Sequence, residues 1–254
     1  MFAGYQLEIL YKDDYIVVVN KPSGLLVHKS MIDRHERYYA MKMLRDQLGG
    51  EWVYPLHRLD KPTSGVLVFA LSSEYAREFS KVFASREIQK SYIAVVRGFT
   101  DERGVIDHPL KEKLDKMTDT KADKNKEAQE AITHYQRLAT VELPFALGRY
   151  ESVRYSLVRL FPKTGRKHQL RRHMKHISHH ILGDTKYGRG EHNKLVRREF
   201  GVYRLMLHAH TLELYHPYKK ERMCFQADLD DVFEKFFKDV GWKSVLEGGT
   251  AGGT

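Results

Sequence analysis

The chain has 254 residues, 42% hydrophobic and 30% charged. That is enough apolar material for a substantial core and excludes a fibrous or wholly disordered protein. A single cysteine, Cys224, excludes an internal disulfide framework and a zinc ribbon. The balance of 43 Lys and Arg against 33 Asp and Glu leaves a net charge of +10, which suits a polyanionic partner as readily as it suits solubility.

Leu7 to Tyr11 and Ile16 to Asn20 are apolar runs separated by "KDD" and predict a hairpin. "KPSGLLVH" follows, with Pro22 and Gly24 as turn residues. A helix is expected from about His35 to Leu48, ended by Gly49-Gly50. Val66 to Leu71 reads as a buried strand. Ser72 is a good N-cap for a helix through about Ser85, with Tyr75, Phe79, Val82 and Phe83 along one face. "KSYIAVVRG" is another strand.

Residues 111 to 130 carry six Lys and six acids and almost nothing apolar, so a mobile loop or lid is expected there. Strands resume at Thr133 to Val141, Tyr155 to Phe161, Leu205 to Tyr215 and Met223 to Ala227, with a helix from about Arg166 to Ser178 among them. A final amphipathic helix starts near Asp230 and buries Phe233, Phe236, Phe237 and Val240. The last residues, 246–254, have nothing to pack and are expected to be a disordered tail on one domain spanning 1–245. Uneven insertion of helices among successive strands predicts an α+β fold with a mixed, mostly antiparallel sheet flanked by helices.

No run approaches the roughly 20 apolar residues of a membrane-spanning helix. The N-terminal "MFAGYQLEILYKDD" lacks the basic-then-apolar pattern of a secretory signal. The expected location is therefore cytoplasmic, away from any membrane. With no separate assembly helix, a monomer without an obligate protein partner is expected.

From Ser152 through Gly183 there is no acid, while Arg154, Arg159, Lys163, Arg166, Lys167, Arg171, Arg172 and Lys175 all fall inside. A solvated face normally mixes both signs, so this segment leans towards phosphate binding. On its helix Leu170, Met174 and Ile177 form the buried stripe, and Lys167, Arg171 and Lys175 an adjacent one at i,i+4 spacing. That row reads either as solvated charge or as phosphate contacts, with one arginine able to reach inward to a carboxylate. His168, His173, His176, His179 and His180 crowd the same region. Their neighbours are cationic, which makes a metal site electrostatically poor. Nucleotide-cofactor glycine loops and HExxH are absent.

The stretch "YPLHRLDKPTSGVLVFAL" sets a lone acid, Asp60, between Arg58 and Lys61 at the mouth of a strand. Lys61 precedes a proline, so the acid sits on a turn. An adjacent arginine keeps such a carboxylate ionised against burial. Spacing alone leaves Asp60 open as a structural ion-pair partner, a cap or a reactive group.

"HRLDKPTSGVLVFAL", "VVVNKPSGLLVH", "QKSYIAVVRG", "PKTGRKHQLRRHM", "HHILGDTKYG" and "LMLHAHTLELYHP" together resemble the RluA-type pseudouridine synthases over about residues 7 to 230. Within that family the chain is most similar to enzymes that modify uridine 65 of tRNA. The resemblance implies the pseudouridine synthase fold, with a catalytic cleft across the sheet, and a tRNA substrate. It implies neither cofactor nor metal, since the reaction detaches uracil from C1′, turns it and rejoins it through C5. Asp60 then matches the catalytic aspartate, Tyr92 the tyrosine that stacks on the flipped uracil, and Arg171 the basic partner of the aspartate. Arg58 matches the arginine that helps flip and replace the base, and Leu170 an apolar wall. Arg166, Lys167, Arg172 and Lys175 are the expected phosphate contacts.

Overall fold

The computed structural model describes residues 2–29, 36–85, 87–112, 127–242 and 245–246. Most of the loop expected at 111 to 130, and the tail after residue 246, lie outside the described residues.

Among the described residues, ten strands pair into one sheet. β1 (Glu8–Lys12) and β2 (Ile16–Lys21) form the hairpin, closed by Asp13, whose Oδ1 accepts the N–H groups of Tyr15 and Ile16, both at 2.8 Å. Helix α1 (Ala40–Gln47) and the two-residue β3 (Tyr54–Pro55) precede β4 (Ser64–Ala70), every residue of which is buried. Helix α2 (Ser73–Ala84) starts at the expected cap: the Ser72 hydroxyl accepts the Tyr75 N–H at 3.1 Å.

Next come β5 (Gln89–Arg97), β6 (Arg103–Asp107), β7 (Ile132–Leu143) and β8 (Val153–Pro162). Helices α3 (Gln169–His176) and α4 (Gly190–Phe200) lead to β9 (Leu207–His216), β10 (Glu221–Gln226) and α5 (Asp231–Asp239). Asp230 caps α5 by accepting the Phe233 N–H, and Phe233, Phe236 and Phe237 are buried beneath it. No described helix is long and apolar enough to cross a membrane.

The strand order is β1-β2-β4-β9-β5-β8-β7-β6, with β3 also on β4 and β10 also on β9. All pairs are antiparallel except β4 with β9, which are parallel and share only two register pairs, Ser64 with His208 and Gly65 with Ala209. Two antiparallel halves therefore meet at one short seam, and the seam positions the site.

Gly65 makes the close approach possible. Its φ is +110°, and a Cβ there would stand 2.1 Å from the Ala209 carbonyl oxygen, so only glycine fits. Ser64 Oγ lies 2.8 Å from His208 Nδ1, and His208 Nε2 lies 3.1 Å from the Ala227 carbonyl. Arg204 donates to Ser64 Oγ and to the Leu205 and Leu207 carbonyls. This buried polar network staples the seam. Burial pushes His208 down to about 3, so it serves as a neutral donor and acceptor.

Two expectations need correction. The helix expected from Arg166 begins only at Gln169, because His168 is left-handed at φ 57° and the Gln169 side chain accepts the Arg166 N–H at 3.0 Å. Lys167 therefore does not share a helical row with Arg171 and Lys175. Helix α4 had no counterpart among the predicted elements; its charged residues obscure a buried stripe of His192, Leu195, Val196 and Phe200.

Candidate active site

The chain from Leu56 to Thr63 crosses the mouth of the seam and is tied down along its length. The Leu56 N–H donates to the Val68 carbonyl at 3.0 Å, and the Val68 N–H donates to His57 Nε2 at 3.2 Å, so a side chain prolongs the β3–β4 ladder. The Asp60 carbonyl accepts the Thr63 N–H at 3.0 Å. The turn after β2 grips the next two residues: Gly24 N–H reaches the Lys61 carbonyl at 2.9 Å and Ser23 Oγ the Pro62 carbonyl at 2.8 Å.

Beneath that turn the Lys21 ammonium is fully buried. It donates to the carbonyls of Pro22, Leu25 and Lys61 at 2.9, 2.8 and 3.3 Å. Burial and the nearby Arg204 charge push Lys21 down to about 7, against the pull of Asp60. Its three acceptors are what let an ammonium stand there.

Arg171 on α3 is 5% exposed and spans two carboxylates. Its Nη1 donates to Asp60 Oδ2 at 3.0 Å, and Nε and Nη2 donate to Asp184 Oδ2 and Oδ1 at 2.8 and 2.9 Å. Asp184 also accepts the N–H groups of Lys186 and Tyr187, both at 2.9 Å. Burial opposes charge on both partners, but the pairing outweighs it, raising Arg171 and lowering Asp184. The Arg171 guanidinium also lies 5.1 Å from the Tyr187 ring centroid.

Tyr92 comes from the adjacent strand. It pairs with Ala209, which on its other side pairs with Gly65. Three neighbouring strands thus bring the phenol and the Asp60 loop to one place. Burial first, and the Asp60 charge second, push the phenol up, so it is protonated at neutral pH.

A cleft of about 530 Å³ gathers Asp60, Tyr92, Arg171, Arg58, Leu170 and Arg166 in its walls. Arg58 is exposed at its rim. Lys167, Arg172 and Lys175 are not in the walls: Arg172 donates to the Lys111 carbonyl at 2.9 Å, and Lys167 and Lys175 are exposed. The acid-free segment is also less uniform than its composition implies. Arg154 pairs with Glu142 at 3.1 Å, and Arg171 is neutralised from both sides.

A larger cavity, about 1030 Å³, is lined by Arg159, Phe161 and α5. Neighbouring strand residues point to opposite faces, and Pro162 lines the smaller cleft, so the larger cavity occupies the other face of the sheet. Asp60, Tyr92 and Arg171 are not among its lining residues.

Residues 15–176 match the RNA pseudouridylate synthase family, a span that includes Asp60, Tyr92 and Arg171. The chain belongs to that family. It is 53% identical to tRNA pseudouridine synthase C of Vibrio cholerae over 94% of this chain and 98% of that one. It is 50% identical to tRNA pseudouridine synthase C of Haemophilus influenzae over 94% of this chain and 100% of the other. Among solved structures, human RNA Pseudouridylate Synthase Domain Containing 4 superposes with a TM-score of 0.69 at 29% identity, covering 92% of this chain and 93% of that one. The chain is thus a pseudouridine synthase, an isomerase, with the pseudouridine synthase fold.

For this synthase the sequence reading did not single out Lys21 or Asp184, and it weighed His168 only within a histidine cluster as a metal ligand. Asp184 had a local signal: an Asp whose side chain takes the N–H groups two and three residues on forms an Asx turn. Lys21 had a weaker one, a lysine at the end of an apolar run.

Proposed function

We propose that this chain converts uridine 65 of tRNA to pseudouridine, with Asp60 as the reacting carboxylate. The likeness in sequence to tRNA pseudouridine synthase C along nearly the whole chain supports the substrate. The single observation that carries the site is the Asp60–Arg171 pair at 3.0 Å, set in a cleft beside Tyr92.

The target uridine must leave its stack to reach Asp60, at a cost of about a few kcal/mol. Stacking on Tyr92 offsets part of this, since a base–aromatic contact contributes roughly 1–3 kcal/mol. Arg58, exposed at the rim, fills the place that the base vacates. Leu170 supplies an apolar wall, and Arg166 with Lys167, Arg172 and Lys175 meets the phosphates around the cleft. Asp60 then attacks C1′ or removes the C2′ proton. Either route breaks the C1′–N1 bond, and the uracil ring turns and rejoins C1′ through C5. The protonated Tyr92 lies beside that ring as a stacking surface and not as a base, and the C5 proton is released to solvent.

Tritium release from 5-tritiated uridine tRNA tests the reading. Release with pseudouridine mapped to position 65 is expected. Binding without release would leave a non-catalytic RNA-binding protein, and release only from ribosomal RNA would overturn the substrate.

A further inference from the structure

The two oxygens of Asp60 meet different neighbours. Oδ2 accepts from Arg171, whereas Oδ1 faces the imidazole of His168, whose Nε2 is 3.7 Å away. His168 is held from behind: its Nδ1 lies 2.9 Å from the Tyr187 hydroxyl, and the two rings meet edge-on at 5.6 Å. The left-handed backbone of His168, φ 57°, is uncommon for a residue other than glycine and costs on the order of 1 kcal/mol or more. Here it sets the ring in the wall of the cleft.

The tautomer follows from the neighbours. Burial leads the effects that push His168 down to about 4, so the ring is neutral at neutral pH. With the proton on Nδ1, the bare lone pair of Nε2 would face a carboxylate. With Nδ1 accepting from the Tyr187 O–H, the proton sits on Nε2 and points to Asp60, which is the favourable arrangement. A neutral donor orients Oδ1 without adding a second cation to the one Arg171 already supplies.

We propose that His168 is a positioning residue of the isomerisation: its Nε2–H, set by Tyr187, aims Asp60 Oδ1 at the bound uridine while Arg171 holds Oδ2. This rests on the reading of Asp60 as the reacting group. The 3.7 Å separation is one that substrate binding shortens, as catalytic hydrogen bonds tighten in the complex.

Single-turnover kinetics on a tRNA transcript, with tRNA affinity measured alongside, test it. His168→Asn accepts the left-handed backbone but is too short to reach Asp60. His168→Gln carries an amide N–H to about the place of Nε2. His168→Asn should slow the rate about 10- to 100-fold, the value of a hydrogen bond to a charged group, with tRNA affinity unchanged, and His168→Gln should recover most of the loss. Nitrogen NMR of the wild type should show the Nε2–H tautomer, and Tyr187→Phe should diminish it. A His168→Asn rate within about twofold of wild type, equal losses in the two His168 variants, or an Nδ1–H tautomer in the wild type would each overturn the proposal. An inactive Asp60→Asn beside a fully active His168→Asn would overturn it while leaving the role of Asp60 standing.

Discussion

Arg171 and Asp184 form a two-pronged ion pair, Nε to Oδ2 at 2.8 Å and Nη2 to Oδ1 at 2.9 Å, with both side chains almost wholly buried. The pair fixes the plane of the guanidinium, and that plane decides where Nη1 reaches Asp60. Asp184→Asn removes one charge from a buried pair and should destabilise the protein by about 3–5 kcal/mol. Urea unfolding checks this. An unchanged midpoint would mean that the pair contributes nothing.

The same carboxylate makes stability depend on pH. Burial works against ionised Asp184, but Arg171 and two backbone N–H groups outweigh it, so its folded pKa lies below the ordinary value. The stability that it contributes is therefore complete above its unfolded value, about pH 4, and is lost as pH falls through the folded value. Below about pH 4, urea midpoints of the wild type should fall more steeply with pH than those of Asp184→Asn. Parallel curves would contradict the assignment.

Gly65→Ala places a methyl group 2.1 Å from the Ala209 carbonyl oxygen at a φ of +110°. Neither backbone can yield without opening the β4–β9 seam. A loss of about 3 kcal/mol or more is expected, read as a lower melting temperature or insoluble expression. Wild-type stability would show that the seam is looser than described.

Lys21→Met keeps the length of the side chain and removes its donors, leaving the Pro22, Leu25 and Lys61 carbonyls without the ammonium. Stability should fall by about 1–3 kcal/mol, and turnover should fall further than tRNA affinity, because the Lys61 carbonyl anchors the residue after Asp60. Equal turnover in the two proteins would show that the Asp60 loop holds without Lys21.

Much of this was legible in the sequence because local rules coincide with the fold. Ser72 caps the helix it was expected to cap, and the helix expected near Asp230 starts there. The apolar run at Val66 is a fully buried strand. The ordered motifs pointed to Asp60, Tyr92 and Arg171, which the fold brings to one cleft although Asp60 and Arg171 are 111 residues apart. What escaped depends on long-range geometry. Charge counting sees Arg159 and Arg166 alike, yet alternation along β8 sends Arg159 to the far face. Nothing local shows that Arg171 has a second acid to hold; Asp184 ties its place beside Asp60 to the stability of the fold. The left-handed turn at His168 that shortens α3 follows from the Gln169 side chain, which bonds to Thr164, Arg166, Ile132 and Thr133.

Asp60→Asn tests the central claim most directly, because it keeps the size of the side chain and its place beside Arg171 while removing the charge. Single-turnover assay on 5-tritiated uridine tRNA should show no tritium release, with tRNA affinity within about twofold of wild type, since phosphate contacts dominate binding. Release at even a few per cent of the wild-type rate, once reversion to Asp by deamidation is excluded, would contradict a reacting carboxylate at residue 60.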